Sequence, residues 1–376
     1  MSKKINVGII FGGKSAEHEV SLQSAKNVYD AIDRTRYNPV LIGIDKSGRW
    51  LLNEGSRFLL NADNPKEIRL NDSGDQVALV PRSKGAISLL KAGTAGATAD
   101  GPPVLDVVFP ILHGPFGEDG TVQGLLKLAD LPFVGAGVLG SAVGMDKDVM
   151  KRLLRDAGIP IGKFLALHSH ERVPPYREVT DLLGAPVFIK PANMGSSVGI
   201  CKVHNEEEYQ SAIAEAFRYD RKIVIEEFIK GRELECAVLG NEEVIASVPG
   251  EVISRHEFYS YDAKYLDENG AALIIPAELD EATKTRIREL AISTFKTLCC
   301  EGLSRVDFFL RADDTGNSNT AVIVNEINTM PGFTKISMYP KLWEASGISY
   351  TELISRLIEL AITRFEKERG IATSRT

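Results

Sequence analysis

Cysteine is scarce in this chain of 376 residues: four occur, at Cys201, Cys236, Cys299 and Cys300. The last two are neighbours, and a bridge between adjacent residues is strained. No C-x-x-C spacing exists, so neither a zinc site nor a disulfide framework is expected, and reduced, buried thiols of a cytosolic protein are. Excess basic charge is missing too. Lys and Arg total 44 against 51 Asp and Glu, a formal charge of −7, which excludes the broad basic field that nucleic acid or an anionic membrane surface demands. Long apolar runs are absent, since no stretch approaches the roughly 18 residues a membrane span needs. Lys3-Lys4 ahead of an apolar run resembles the start of a secretory leader. Asn6 interrupts that run, however, and Gly12-Gly13-Lys14 stands where a small-residue cleavage site belongs, so a first strand is expected there.

What is present is ordinary for a globular chain: 44% hydrophobic and 25% charged residues. The length predicts two or three domains. Residues 7–11 read as a buried strand, 20–32 as a helix, 40–44 and 104–110 as further strands, and 121–129 as a helix with apolar Val122, Leu125, Leu126 and Ala129. Strands alternating with helices predict a parallel, doubly wound sheet. Residues 61–103 read as a surface excursion. A glycine-rich turn and a helix through Leu154 follow, and then the pattern changes. Strands are expected at 187–190, 197–203, 222–226, 234–239, 244–252, 303–310 and 321–328, with helices at 206–219, 283–299 and 351–365. Three units result: 1–135, 136–228 and 229–376.

Two glycine motifs point to nucleotide folds without fitting them. Residues 8–15 (GIIFGGKS) match the phosphate-loop pattern, but Ile9, Ile10 and Phe11 belong inside a strand, whereas a phosphate loop must leave it. Residues 135–140 (GAGVLG) match G-x-G-x-x-G. A dinucleotide fold puts that fingerprint on its first long strand, and a complete strand–helix pattern already stands upstream.

The informative constellation lies near the C-terminus. In residues 304–310 (SRVDFFL) alternation puts Arg305 and Asp307 on one face, with Val306 and Phe308 on the other; in 322–328 (VIVNEIN) Glu326 and Asn328 share a face. A hairpin turning near Thr315-Gly316 sets Asp307 beside Glu326. Two carboxylates and an amide oxygen make a hard-oxygen site suited to Mg²⁺. Arg305 is either an ion-pair partner there or a donor to an anionic substrate. Residues 187–199 (VFIKPANMGSSVG) place Lys190 at a strand end before a loop of Gly195, Ser196, Ser197 and Gly199, which reads as a flap over phosphates. Residues 223–233 (IVIEEFIKGRE) offer Glu226, Phe228, Ile229 and Glu233 as an adenine and ribose edge. Glu17, His18 and His113 follow strands at the ends where open α/β sheets bind ligands. His168, His170, His204 and His256 show no metal spacing.

GGKSAEHEVS, LHGPFGEDG, GSAVGMDK, FIKPANMGSSVG, DAKY, SRVDF and VNEINTMPGFT occur in that order, and together they resemble the motifs of the D-alanine–D-alanine ligases, a family of the ATP-grasp superfamily. The likeness covers nearly the whole chain, residues 61–103 excepted. It implies an α/β ATP-grasp fold: an N-terminal Rossmann-like substrate domain (1–135), a central subdomain with the phosphate flap (136–228) and a C-terminal subdomain with the metal site (229–376). It implies ATP as co-substrate, two Mg²⁺ or Mn²⁺ ions on Asp307, Glu326 and Asn328, and phosphate contacts from Lys147, Lys190, Ser197 and Lys264. Glu226, Phe228, Ile229 and Glu233 would hold adenine and ribose. Glu17 would fix the ammonium of the first D-alanine in a triad with Ser196 and Tyr265, and Arg305 with the N–H of Gly332 would form the oxyanion site. Ser337 and Met338 would line the acceptor pocket, with His113 on the substrate side. The resemblance further implies a cytoplasmic homodimer serving peptidoglycan synthesis. Relatives that make D-alanyl-D-lactate lack the counterpart of Tyr265, so D-alanine is the expected acceptor; Phe228 stands where some relatives carry Trp, and Met338 where some carry Leu. The alternatives are a ligase with a D-lactate acceptor and a non-enzymatic ATP-binding module, the latter opposed by the intact Arg305, Asp307, Glu326 and Asn328.

Overall fold

The computed structural model describes residues 3–53, 55, 58–62, 64, 67–81, 87–91, 104–254, 271–311 and 322–372. The apolar N-terminal run forms β1 (Ile5–Gly12), with Ile9, Ile10 and Phe11 fully buried; those residues stay in the strand, and no phosphate loop forms. A strand buried on both faces needs helices on both sides. α1 (His18–Ala31) supplies one and leads to β2 (Tyr37–Ile44), parallel to β1. β3 (Trp50–Asn53) turns back antiparallel, β4 (Leu59–Leu60) and β5 (Arg69–Leu70) pair by themselves, and β6 (Asp75–Pro81) and β7 (Ile87–Lys91) form a hairpin. The expected strand at 104–110 divides at Asp106, which exchanges backbone and side-chain hydrogen bonds with Asn6 at 2.9 and 2.7 Å. The halves are β8 (Val104–Leu105), which pairs with β7, and β9 (Val107–Ile111), parallel to β1.

The sheet order is therefore β8-β7-β6-β3-β2-β1-β9. Its core is parallel, as the alternating pattern predicts. The 61–103 segment, expected to be a surface excursion, instead supplies an antiparallel extension through β6 and β7; its short alternating runs were hidden among Gly, Ala and Asp. α2 (Thr121–Leu128) covers one face. The single helix expected through Leu154 is two, α3 (Val138–Met145) and α4 (Lys147–Asp156), because Asp146 leaves helical geometry to accept from the N–H groups of Asp148 and Val149. Gly140 serves α3 packing: a Cβ there would lie 2.5 Å from the Cys299 carbonyl oxygen. The glycine fingerprint is a close helix approach.

The second sheet has the order β10-β13-β11-β12, from β10 (Phe164–His168), β11 (Val187–Pro191), β12 (Cys201–Val203) and β13 (Lys222–Glu227). Helices α5 (Tyr176–Leu183) and α6 (Glu206–Ala216) bury Val179, Tyr209 and Ile213 against it. The strand expected from 197 begins only at Cys201, since Ser196 and Ser197 have φ of 49° and 62°. In the third sheet β14 (Gly231–Gly240) pairs with β15 (Val244–Ala246), β16 (Gly250–Ser254) and β18 (Gly302–Arg311), β17 (Ala271–Ile274) flanks β16, and β19 (Val322–Asn328) flanks β18. The expected 244–252 strand is thus two. α7 (Glu281–Thr297) covers this sheet with Ile287, Leu290 and Phe295, joined by Met150 and Leu154 of α4. On the other side α8 (Met338–Ala345) and α9 (Tyr350–Arg369) insert Tyr339, Trp343, Leu353 and Leu357 between the third sheet and the first. Burying each such side chain contributes about 1.5–3 kcal/mol, so the first and third sheets are fastened together. Cys236 and Cys300 are buried, Cys201 is half-buried and Cys299 exposed; all four are free thiols. Among the described residues no helix is long and apolar enough to cross a membrane.

Candidate active site

β18 and β19 pair with Arg305 opposite Asn328 and Asp307 opposite Glu326, the register that alternation predicted. Val306 and Phe308 point into the core, nearly free of solvent. A bulge follows Asp307, so Phe308 faces Val324 and Asn325 is the extra residue. Arg305 forks onto Asp307, Nε to Oδ1 and Nη2 to Oδ2, both at 2.7 Å, and its Nε lies 2.8 Å from Oε2 of Glu235. Asn328 Nδ2 donates to Asp307 Oδ2 at 3.0 Å. Spacing left Arg305 as ion-pair partner or substrate donor; the ion pair is made, with both Asp307 and Glu235. Glu235 escaped the sequence reading, although its alternation with Leu234 and Cys236 on β14 puts it on the same face and opposite Asp307.

Across the cleft stand lysines. Capped α4 presents Lys147 and Lys151, one turn apart and on one buried face. Lys147 Nζ donates to the Met194 carbonyl at 2.8 Å and lies 3.6 Å from Glu326 Oε2. Glu226 on β13 takes Lys190 at 2.7 Å on one carboxylate oxygen and Lys151 at 3.2 Å on the other. Burial alone would raise the Glu226 pKa, but the two ammonium groups outweigh it and hold it down to about 2. Lys190 moves the opposite way: burial opposes its charge, and Glu226 and Glu326 push its pKa up. In Lys151 burial wins and the pKa falls. Phe228 is partly exposed at the mouth, its ring 6.1 Å from that of Phe188 and 4.5 Å from Lys202 Nζ.

The first unit contributes Glu17, at the start of α1, which accepts a short hydrogen bond from Ser196 of the flap. Glycines make its space: a Cβ on Gly114 would lie 2.5 Å from Glu17 Oε2, and one on Gly195 would lie 2.9 Å from it. The left-handed backbone of Ser196 and Ser197 is the strained geometry that functional loops hold. His113 is buried between the Met330 carbonyl at 3.0 Å, Ser24 Oγ at 3.2 Å and Glu118 at 3.5 Å. Burial would lower the His113 pKa, but Glu118 overrides it and raises it; burial, helped by Glu17, raises Glu118. Ser337 closes the far side, accepting from the Thr334 N–H at 3.0 Å, with buried Met338 next to it.

These groups surround a cleft of about 340 Å³, within the size of small-molecule sites. Glu17, His113, Lys147, Lys190, Ser196, Ser197, Glu226, Phe228, Ile229, Glu233, Arg305, Glu326, Asn328, Gly332, Ser337 and Met338 all line it. Asp307 sits just behind the wall, covered by Arg305 and Asn328. Lys264 and Tyr265 lie outside the described residues. Among the described residues no group of three or more His, Cys, Asp or Glu forms a ready metal cage. The donor set of Asp307, Glu326 and Asn328 is hard oxygen and incomplete, which fits a cation that completes its shell with water and phosphate.

A Rossmann-like unit joined to two α+β units that close on a lysine- and carboxylate-lined cleft defines an ATP-grasp protein. Family models described as D-ala D-ala ligase N-terminus and D-ala D-ala ligase C-terminus match residues 6–136 and 153–359. The chain is 57% identical over 375 residues to a D-alanine–D-alanine ligase of Shouchella clausii, covering 100% of this chain and 99% of the relative. The solved D-alanine–D-alanine ligase of Coxiella burnetii superposes with a TM-score of 0.82 at 38% identity, covering 98% of this chain and 97% of that one. The Bacillus anthracis ligase complexed with ATP superposes at 0.70 with 26% identity, covering 97% and 99%. This chain belongs to the D-alanine–D-alanine ligase family.

Proposed function

We propose that this protein joins two D-alanine molecules into D-alanyl-D-alanine, converting ATP to ADP and phosphate, for peptidoglycan precursor synthesis. The observation that carries the reading is the pairing of Asp307 with Glu326 at the wall of a cleft that Glu326 lines together with Lys147 and Lys190. ATP lies with its base toward Glu226, Phe228, Ile229 and Glu233 and its phosphates toward Lys147, Lys190 and Ser197. Asp307, Glu326 and Asn328 would hold two Mg²⁺ or Mn²⁺ ions, which would supply charge neutralisation on the phosphates. Glu17 accepts from the ammonium of the first D-alanine and aims its carboxylate. That carboxylate oxygen attacks the γ-phosphorus, the bond to ADP breaks, and D-alanyl phosphate forms. The neutral amine of the second D-alanine, seated by Ser337 and Met338, attacks the acyl carbon, and the proton its nitrogen then sheds leaves with the phosphate. Arg305 and the Gly332 N–H stabilise the tetrahedral oxyanion, and the acyl–oxygen bond breaks to release phosphate. Ser196 bonded to Glu17 holds the flap shut, which keeps water from the acyl phosphate.

Units 136–228 and 229–376 form the jaws, while 1–135 brings Glu17 and His113. The protein works in the cytoplasm, where ATP is available, as a homodimer; sedimentation at micromolar concentration tests the latter. Purified protein given D-alanine, ATP and Mg²⁺ releases phosphate and forms the dipeptide. Silence with D-alanine but turnover with another amino acid reassigns the substrate. Competition between D-alanine and D-lactate across pH tests the acceptor.

A further inference from the structure

Lys151 is a buried cation that the reaction scheme leaves unused. Only 2% exposed, its Nζ lies 3.2 Å from Glu226 Oε1, 3.4 Å from the Asn325 carbonyl oxygen and 5.9 Å from the Phe164 ring centre. It lines the cleft beside that carboxylate and ties α4, β13, β10 and the bulge of β19 together there. The other carboxylate oxygen is held by Lys190, whose ammonium the proposed function assigns to the phosphates. Once Lys190 turns to phosphate, Lys151 is the cation left on Glu226.

That matters because a carboxylate and a carboxylic acid read a base differently. The ionised group offers only lone pairs; the protonated one also donates. Burial without a cation favours the acid. We propose that Lys151 is a positioning residue for nucleobase choice: by holding Glu226 as an acceptor-only group, it makes the inner end of the cleft take a 6-amino purine and repel a 6-oxo purine. This rests on the placement of the base at Glu226 in the proposed function. An amino group donates into the carboxylate, whereas a 6-oxo oxygen would set two acceptors face to face with no proton between them, and unpaired buried polar groups are what give sites their steepest discrimination.

The test is calorimetric binding of ADP and GDP to the full chain with Mg²⁺ and no amino acid, so the outcome does not depend on which amino acid is ligated. The parent should prefer ADP by ~10²-fold or more. Lys151→Met, similar in length and uncharged, should cut that preference by ~10-fold or more, mainly by weakening ADP. Lys151→Arg should keep most of it. Inorganic triphosphate, which has no base, should bind the parent and Lys151→Met alike. An unchanged ADP-to-GDP ratio in folded Lys151→Met overturns the proposal. So does an equal loss of triphosphate binding, which would make Lys151 a phosphate contact. If Lys151→Met does not fold, Glu226→Gln decides: its carboxamide donates whatever Lys151 does, so the ratio should collapse, and an intact ratio overturns the proposal.

Discussion

Arg305 and Asp307 grip each other through two charge-assisted bonds at 2.7 Å, a geometry stronger than single neutral bonds. The proposed oxyanion donor and a proposed metal ligand are therefore partners, and Glu235 at 2.8 Å gives the guanidinium a second anchor. The proposed cation on Asp307 would compete with Arg305 for the same two oxygens. Arg305→Ala should lower kcat by ~10²–10³, the usual loss for one oxyanion donor, with KM for ATP little changed; steady-state kinetics with varied ATP checks the split. Glu326→Ala should end Mg²⁺-dependent phosphate release, and turnover retained in that variant would refute the metal assignment. Asp307, Glu326 and Asn328 were legible in the sequence because a strand's period of two fixes which side chains share a face. Lys151 was not legible, because its partners Glu226 and Asn325 are distant in sequence and only packing brings them together.

Elements carry the next level of constraint, and the loop after β9 shows it. Gly114 has a φ of +72°, and a Cβ there would meet the far end of the Glu17 side chain rather than backbone. Gly114→Ala should therefore cost about 1–2 kcal/mol for left-handed geometry, while displacing Glu17 from Ser196. The expected readout is a raised KM for D-alanine well beyond any change for ATP; equal shifts in both would mean general loosening instead. The long strands and helices were readable from periodicity, as in β1, β18 and α7. Breaks were harder. Asp146 splits a helix by capping its own successor, and Asp106 splits a strand by bonding Asn6; both are single polar side chains whose effect depends on which N–H they meet. β10 and α8 went unseen because they are short and their partners, β13 and the third sheet, are remote in sequence.

At the scale of the whole molecule, two buried ionic sites stand out. The first is Glu226, whose pKa is lowered from 4.5 to about 2. A carboxylate lowered on folding contributes stability that is complete above the unfolded value and lost as pH falls through the folded one. Its share is thus present above pH 4.5 and drains away toward pH 2. Glu226→Gln should melt well below the parent at pH 7, and the gap should narrow steadily below pH 4.5; a gap constant with pH would deny the cluster this role. The second is Arg364 on α9, which is buried and donates to the carbonyls of Gly135 at 2.6 Å and Phe133 at 2.9 Å, with Glu301 at 3.2 Å and the Phe133 ring centre 4.7 Å away. Residues 133–135 are where the first sheet hands the chain to α3, so this one side chain ties α9 and the residue preceding β18 to that crossing. Arg364→Met keeps much of the packing and removes every donor. Two buried carbonyls and a carboxylate then lose their partner, at about 1–3 kcal/mol for each unsatisfied group. Urea unfolding should shift to a lower midpoint by the equivalent of about 3 kcal/mol or more. Since Arg364 does not line the cleft, the KM for ATP should move far less than stability does, and an unshifted midpoint would show that the seam is held by the apolar core of α8 and α9 alone.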